Sequence, residues 1–557
     1  MSIACRGADA LVKALSRAGV KHVFTLSGNH IMPVFDACIG AGIELFHTRH
    51  EAAAVHMADA YARLTGKVGV ALVTGGPGHA NAVSALYTAQ MAESPVLLLS
   101  GHAPHDQLGL GAFQEMRQAD VAAPLVKMAA TAQHPDTLVD ELVHAMRTAQ
   151  SGRPGPVHLS LPTDVLEGAA HMPAEMNAES FLPARQMLDD TTAMRLVSSL
   201  ANASRPLILV GPACMTRAGR ERTDTLAAEL GIPVVGMESP RGINDPALGA
   251  FAEVLAQADR VMLVGKRMDF TLAFGKSPAF APDCTFVQVD PEPQEIARTR
   301  RAVGERLIGT AVADSVPALE RLASVGRNGR NGHMGDERWT REVQGAIAWR
   351  PESWRTASSS LERRLHPVQA LAPLQALLDS HADAVFVSDG GEFGQWAQAC
   401  LRAPNRVING VAGAIGAALP FALAARVAHP AAPIVAVMGD GTFGFHAAEM
   451  DTAVRYGLPF VAVVGNDARW NAEYQIQLRS YGHERLIGCE LLPARYDRVT
   501  EAFGGAGALV ERADDMNDAI ERAQAAQNAR LPACLNVMIE GVAAPSFKRR
   551  APETASS

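Results

Sequence analysis

Short apolar runs alternate along the chain with longer Ala- and Leu-rich stretches, and glycine-rich turns separate them. Residues 22–26 read as a strand. Residues 51–64 (EAAAVHMADAYARL) read as a helix, because Ala, Met and Leu favour one and Gly66 follows as a stop. A strand over 69–74 ends in Gly75-Gly76-Pro77-Gly78. A helix over 80–92 and a strand over 95–100 follow, and 155–161 (GPVHLSL) closes the unit. Strands alternating with helices predict a parallel sheet covered by helices.

The same grammar recurs twice. After a polar connector over 168–190, strands are expected at 206–210, 233–237, 260–264 and 285–289, with a helix at 217–230. The stretch 324–336 (SVGRNGRNGHMGD) has linker composition. A third series begins near Pro367, with strands expected at 384–387, 406–408, 434–438, 460–464 and 535–539. The fold class predicted is α/β, with three consecutive doubly wound parallel-sheet domains at 1–167, 190–323 and 365–542. A linker is expected over 324–364 and a mobile C-terminal tail over 543–557. No short-period repeat is present, but the first and third series are alike in size and grammar and would suit two related domains.

Composition narrows the class. Among 557 residues, 50 Lys and Arg stand against 58 Asp and Glu, a formal charge of −8. That acidity argues against broad nucleic-acid binding. At 48% hydrophobic and 19% charged residues, the chain can build cores and is not wholly disordered. No apolar run approaches the length of a membrane span, and residues 1–12 lack a charged-then-apolar leader pattern. Cysteines at 5, 38, 214, 284, 400, 489 and 534 form no CxxC pair. A cytoplasmic protein without a disulfide framework is therefore expected.

The sharpest chemical signal is Gly439-Asp440-Gly441, directly after the apolar run 434–438. Asn466-Asp467 ends the next apolar run, and a helix is expected over 447–456 between them. Asp440 and Asn466 are 26 residues apart, room for one strand–helix–strand crossover. Both then emerge at the carboxyl edge of neighbouring parallel strands, where α/β sheets bind ligands. One carboxylate and one amide oxygen suit Mg²⁺, which keeps its other positions for water and phosphate.

These residues resemble the signature of thiamine diphosphate enzymes, in which GDG is followed about 26 residues later by Asn-Asn or Asn-Asp. The resemblance spans almost the whole chain. HTRHEAAAVHMADAYAR (47–63), VGVALVTGGPGHANAV and FQEMRQADVAAP look like the pyrimidine-binding domain of one branch. That branch holds acetolactate synthase, benzaldehyde lyase and 2-hydroxyacyl-CoA lyase. The middle series looks like its central domain, and the third like its diphosphate-binding domain. The resemblance implies thiamine diphosphate and Mg²⁺ as cofactors. It also implies a homodimer or dimer of dimers, a homotetramer, with active sites shared between subunits.

Residue by residue, Glu51 matches the catalytic glutamate, which protonates the pyrimidine and so activates the cofactor. By itself Glu51 also reads as a solvated first-turn acid that favours the helix dipole. Asp440, Asn466 and the backbone carbonyl of Ala468 match the metal ligands, and Gly441 and Thr442 continue that loop. Many relatives carry Gly where Ala468 stands. Gly413 would accept from the pyrimidine amino group. Ile415 would be the wedge that bends the cofactor, ordinary core packing being its competitor. Pro77, Asn81, Gly391 and Glu392 would also approach the cofactor.

The reaction is less constrained. His30 matches a benzaldehyde lyase histidine and could move a hydroxyl proton, or be an inert surface residue. Gln114 matches an active-site glutamine, or caps a helix. His102 reads as structural. The segment 237–251 (MESPRGINDPALGAF) lacks the Gly-Met-His-Gly pattern of flavin-binding relatives, which makes FAD unlikely. After the metal loop, 466–477 (NDARWNAEYQIQ) and 487–496 (IGCELLPARY) are polar, aromatic and acidic, so a polar substrate is expected, with Glu490 near it. Lys548, Arg549 and Arg550 could hold a CoA phosphate, or form a solvated basic tail. The expected activity is a carbon–carbon lyase and carboligase, foremost a 2-hydroxyacyl-CoA lyase. Benzaldehyde-lyase-type acyloin cleavage and acetolactate-synthase-type condensation are the alternatives. A non-catalytic cofactor-binding subunit and a cofactor-free oligomerisation scaffold stay open as other classes.

Overall fold

The computed structural model describes residues 3–172, 176–328 and 336–547. Part of the 324–336 stretch, the end of the expected tail and Lys548, Arg549 and Arg550 lie outside the described residues.

Three parallel sheets follow one another along the chain. The first orders its strands Glu44–His47, His22–Thr25, Gly69–Val73, Val96–His102, Val157–Pro162 and Ala129–Thr131. The third orders Asn405–Ile408, Val385–Ser388, Ile434–Gly439, Val461–Asn466, Ala533–Met538 and Ala506–Val510. Renumbered within each domain, both read 2-1-3-4-6-5. The central sheet orders Val234–Gly236, Pro206–Val210, Arg260–Val264, Thr285–Asp290 and Leu307–Val312. The inner strands are buried on both faces, as expected when helices cover a parallel sheet. A short antiparallel ribbon, Ile3–Arg6 with Ala169–Met172, joins the ends of the first domain.

The first and third domains share one continuous apolar core. Its centre is the helix Glu51–Thr65, buried on every side from Glu51 to Ala62, against the equally buried helix Ala418–Ala428. Alanine dominates both, which lets the backbones approach closely. Arg63 closes this contact, donating from Nη1 to Ile408 O at 2.7 Å and lying 5.0 Å over the Phe421 ring. Within the expected 324–364 linker, Glu337–Ala348 is a helix whose Trp339, Val343 and Ala346 enter the central core. Trp339 Nε1 donates to Pro206 O at 2.9 Å. Residues 541–547 lie against the third domain, where Trp396 Nε1 donates to Ala543 O at 3.0 Å. The Phe547 ring packs against Trp349 and Trp354. Among the described residues no helix is long and apolar enough to cross a membrane.

Candidate active site

Two residue clusters form at the carboxyl ends of the first and third sheets. In the first domain, the turn after Gly69–Val73 leads into the helix Pro77–Met91. Pro77 takes the first helical position, where an N–H has no intrahelical partner to lose. Gly76 has φ +57, and a Cβ there would lie 2.7 Å from Gln114 O, so the close approach demands glycine. Gln118, which the sequence reading did not single out, holds this turn. Its Oε1 accepts from Gly76 N at 2.8 Å, while Nε2 donates to Gly101 O at 3.1 Å and Ser160 Oγ at 3.0 Å.

Glu51 is 6% exposed, which removes the solvated first-turn reading. It opens its helix after the cap residue His50, whose Nδ1 accepts from Ala52 N at 3.1 Å. Asn81 Nδ2 donates to Glu51 Oε2 at 3.0 Å, and Gly78 lies against Oε1. The carboxyl therefore sits between the starts of two helices, with one amide fixing its orientation. The loop before it is anchored on the third domain. Arg49 N donates to Glu449 Oε1 at 2.9 Å, and His47 N to Tyr456 Oη at 2.8 Å.

His30 is buried rather than a surface residue. Its Nδ1 lies 3.2 Å from Thr74 Oγ1, and its ring stacks on Phe113 with centroids 6.0 Å apart. Burial pushes its pKa below the usual imidazole value, so the ring is neutral at pH 7. Gln114 follows Phe113 with φ +56 and packs its backbone on Gly76. His102 turns both ring nitrogens to backbone carbonyls, of Ala103 and Met116, each at 3.0 Å. That arrangement is structural.

In the third domain, Asp440 begins the turn after Ile434–Gly439, and Asn466 ends Val461–Asn466. Both are buried. Asn466 Nδ2 donates to Ala494 O at 3.0 Å and Asn536 Oδ1 at 3.1 Å, which fixes the direction of its oxygen. Asn466 Oδ1 and Asp440 Oδ2 then meet no hydrogen-bond donor. Burial raises the Asp440 carboxyl to about 6. Burial and the Asp440 charge raise Asp467 to about 7. Two oxygens stripped of water without donors cost roughly 1–3 kcal/mol each. A hard cation would compensate both and relieve the repulsion between the carboxyls.

Ala468 adopts φ +58, the region glycine enters freely and alanine at some cost. Its carbonyl accepts from Leu491 N at 2.7 Å and keeps a second lone pair. Among the described residues no group of three or more His, Cys, Asp or Glu is placed to hold a metal. The candidate ligands are instead one carboxylate, one amide and one carbonyl oxygen, a set that fits Mg²⁺ and not zinc. Gly441 lies under the Trp470 ring, and Thr442 Oγ1 donates to Gly439 O at 3.0 Å.

The remaining candidates flank this turn. Gly391, at φ +79, opens the helix Gly391–Cys400. The half-buried carboxyl of Glu392 accepts from Ala544 N at 3.0 Å, and burial raises its pKa. Gly413 has φ +66, and Ile415 Cγ2 abuts Gly390. Asp389, also unmarked in the sequence reading, binds this loop. Its carboxylate accepts from Gly390 N at 2.7 Å, Gly416 N at 3.0 Å and Ala418 N at 3.2 Å. Burial nonetheless raises Asp389 to about 6. Glu490 is exposed, on a segment that bridges to Arg469.

This fold and these paired clusters define an α/β enzyme frame, with candidate ligand-binding groups at the carboxyl edges of two like sheets. The chain belongs to the thiamine pyrophosphate enzyme family. Residues 5–121 match its N-terminal TPP binding domain, 193–319 its central domain and 389–537 its C-terminal TPP binding domain. A probable acetolactate synthase of Mycobacterium bovis is 33% identical over 543 residues, covering 95% of each chain. The 2-hydroxyacyl-CoA lyase 2 of Danio rerio is 31% identical over 582 residues, covering 96% of this chain and 91% of its own. The human 2-hydroxyacyl-CoA lyase 2 is 31% identical, covering 91% and 86% respectively.

Proposed function

We propose that this protein is a Mg²⁺- and thiamine diphosphate-dependent carbon–carbon lyase and carboligase acting beside a hydroxyl-bearing carbon, foremost on a 2-hydroxyacyl-CoA. The observation that carries the cofactor reading is the pair of buried, donorless oxygens on Asp440 and Asn466. They would hold Mg²⁺ together with the Ala468 carbonyl, while Gly391, Gly441 and Thr442 would line the diphosphate. Gly413, Ile415, Pro77 and Asn81 would hold the pyrimidine end. Bound there, thiamine diphosphate supplies a carbon nucleophile and then an acceptor for the electron pair of the breaking C–C bond.

The residues of the chain handle the protons. Glu51 holds a proton at its carboxyl for the pyrimidine ring, and the Asn81 amide fixes the direction of that carboxyl. Neutral His30, set against Thr74, takes the proton of a substrate hydroxyl as its C–C bond cleaves, and returns it in synthesis. The Gln114 amide binds the carbonyl produced. Burial of Glu51, His30 and Asp440 keeps water from these steps. As in the resemblance, the working assembly is a homodimer or dimer of dimers with shared sites.

The 2-hydroxyacyl-CoA reading draws on the relatives of that name and on the buried imidazole. The relative named acetolactate synthase supports a second reading, condensation of 2-oxo acids. Product analysis with a 2-hydroxyacyl-CoA, benzoin and pyruvate separates them. Aldehyde or ketone release from the acyl-CoA is expected. Conversion of pyruvate alone would reject the lyase.

A further inference from the structure

The loop that presents Gly413 and Ile415 ends at Gly416, and this residue is gripped on every side. Its N–H points at the Asp389 carboxylate, 3.1 and 3.0 Å from the two oxygens. Its carbonyl accepts from His446 Nδ1 at 2.7 Å. Its φ of +94 admits no side chain cheaply, and a Cβ would lie 2.6 Å from the Phe445 ring. His446 is itself held in place. Its ring meets His50 and His56 edge-on, with centroids 5.9 and 5.7 Å away. His50 caps the helix that begins with Glu51. Phe445 in turn meets Trp470 edge-on at 6.3 Å, and Trp470 covers Gly441 of the metal turn. One short run, Phe445-His446, thus ties the metal turn to the 413–416 loop.

We propose that His446 is a positioning residue that, opposite Asp389, sets the Gly416 peptide and through it the height of the Gly413–Ile415 loop against the pyrimidine end of the cofactor. The inference rests on the cofactor reading above. Nothing in the metal turn hydrogen-bonds through His446 Nδ1, so the device acts on one end of the ligand only.

The test is calorimetry on the full chain with Mg²⁺ and either thiamine diphosphate or inorganic diphosphate. His446→Asn places an amide donor near the Nδ1 position, whereas His446→Gln and His446→Leu do not. In the Gln and Leu variants, thiamine diphosphate should bind about tenfold more weakly, the effect of one lost hydrogen bond. Inorganic diphosphate should bind them as it binds the parent. His446→Asn should recover most of the loss. Because Asn and Gln are both polar, their contrast survives even if the Leu variant does not fold. The inference is overturned if Gln and Leu bind thiamine diphosphate like the parent, if Asn rescues nothing, or if both ligands weaken equally. A parent protein that binds neither ligand would instead overturn the cofactor reading, and this inference with it.

Discussion

Asn81 Nδ2 reaches Glu51 Oε2 at 3.0 Å across the starts of two helices, so the buried carboxyl has one defined orientation before any ligand arrives. Glu51→Gln keeps the shape of the side chain but removes its capacity to exchange a proton, and so isolates the role proposed for it. Glu51→Gln should bind thiamine diphosphate within a few-fold of the parent, yet lose turnover by about 10²–10⁴, the range for a general acid–base group. Steady-state kinetics beside calorimetry measures both, and unchanged turnover would remove Glu51 from the mechanism.

Asp440 carries a buried charge with an unsatisfied oxygen, a cost that the cation would repay. Asp440→Asn should therefore melt at the same or a higher temperature than the parent when both are stripped of metal with a chelator. Adding Mg²⁺ and cofactor at 100 times the dissociation constant should stabilise the parent by about 2.7 kcal/mol and the variant hardly at all. Thermal unfolding in the two conditions gives the comparison. A large loss of stability in the metal-free variant would contradict this account of the site.

Asp389 is fully buried and titrates near 6, above its unfolded value of 3.8. A raised carboxyl pKa means that the folded state keeps its proton more readily. The resulting stabilisation is complete below pH 3.8 and is lost as pH rises through about 6. Relative to Asp389→Asn, the parent should gain roughly 2 kcal/mol between pH 7 and pH 4. Urea unfolding of both proteins at the two pH values reads this difference, and parallel pH profiles would refute it.

His30 titrates below the usual 6.5 because it is buried. If it accepts the substrate proton, activity on a 2-hydroxyacyl-CoA falls as pH drops through that lowered value and holds above it. His30→Ala should lose about 10²-fold or more in kcat, and the acid limb should disappear with the side chain. A pH–rate profile that keeps its acid limb in the variant would assign the limb elsewhere.

The parts of this molecule legible in its sequence are those that bury apolar runs. Strands such as Val70–Leu72 within Gly69–Val73, or Val435–Val437 within Ile434–Gly439, are covered on both faces and stand out as unbroken apolar stretches. Apart from the Ile3–Arg6 ribbon, the strands that escaped lie at sheet edges. These are Glu44–His47, Ala129–Thr131, Leu307–Val312 and Ala506–Val510. These four are half-exposed, so their residues carry no such signature, whereas the mostly buried edge strand Asn405–Ile408 does. The site divides the same way. Glu51 and the Asp440–Asn466 pair were legible because motif and spacing mark them. Gln118, Asp389 and His446 were not, because each acts on backbone groups of residues brought near only by folding. For Gln118, a glutamine near the end of FQEMRQ gave no cue that it would span three strand ends.

The shared 2-1-3-4-6-5 strand order puts Gly75-Gly76 and Asp440-Gly441 at corresponding corners, each after the third strand of its sheet. One corner carries the buried Asp440 carboxyl, and the other carries bare glycine in the turn before Gly78, which lies against the Glu51 carboxyl. Two frames of one strand order thus differ in chemistry through the few residues set at one corresponding corner.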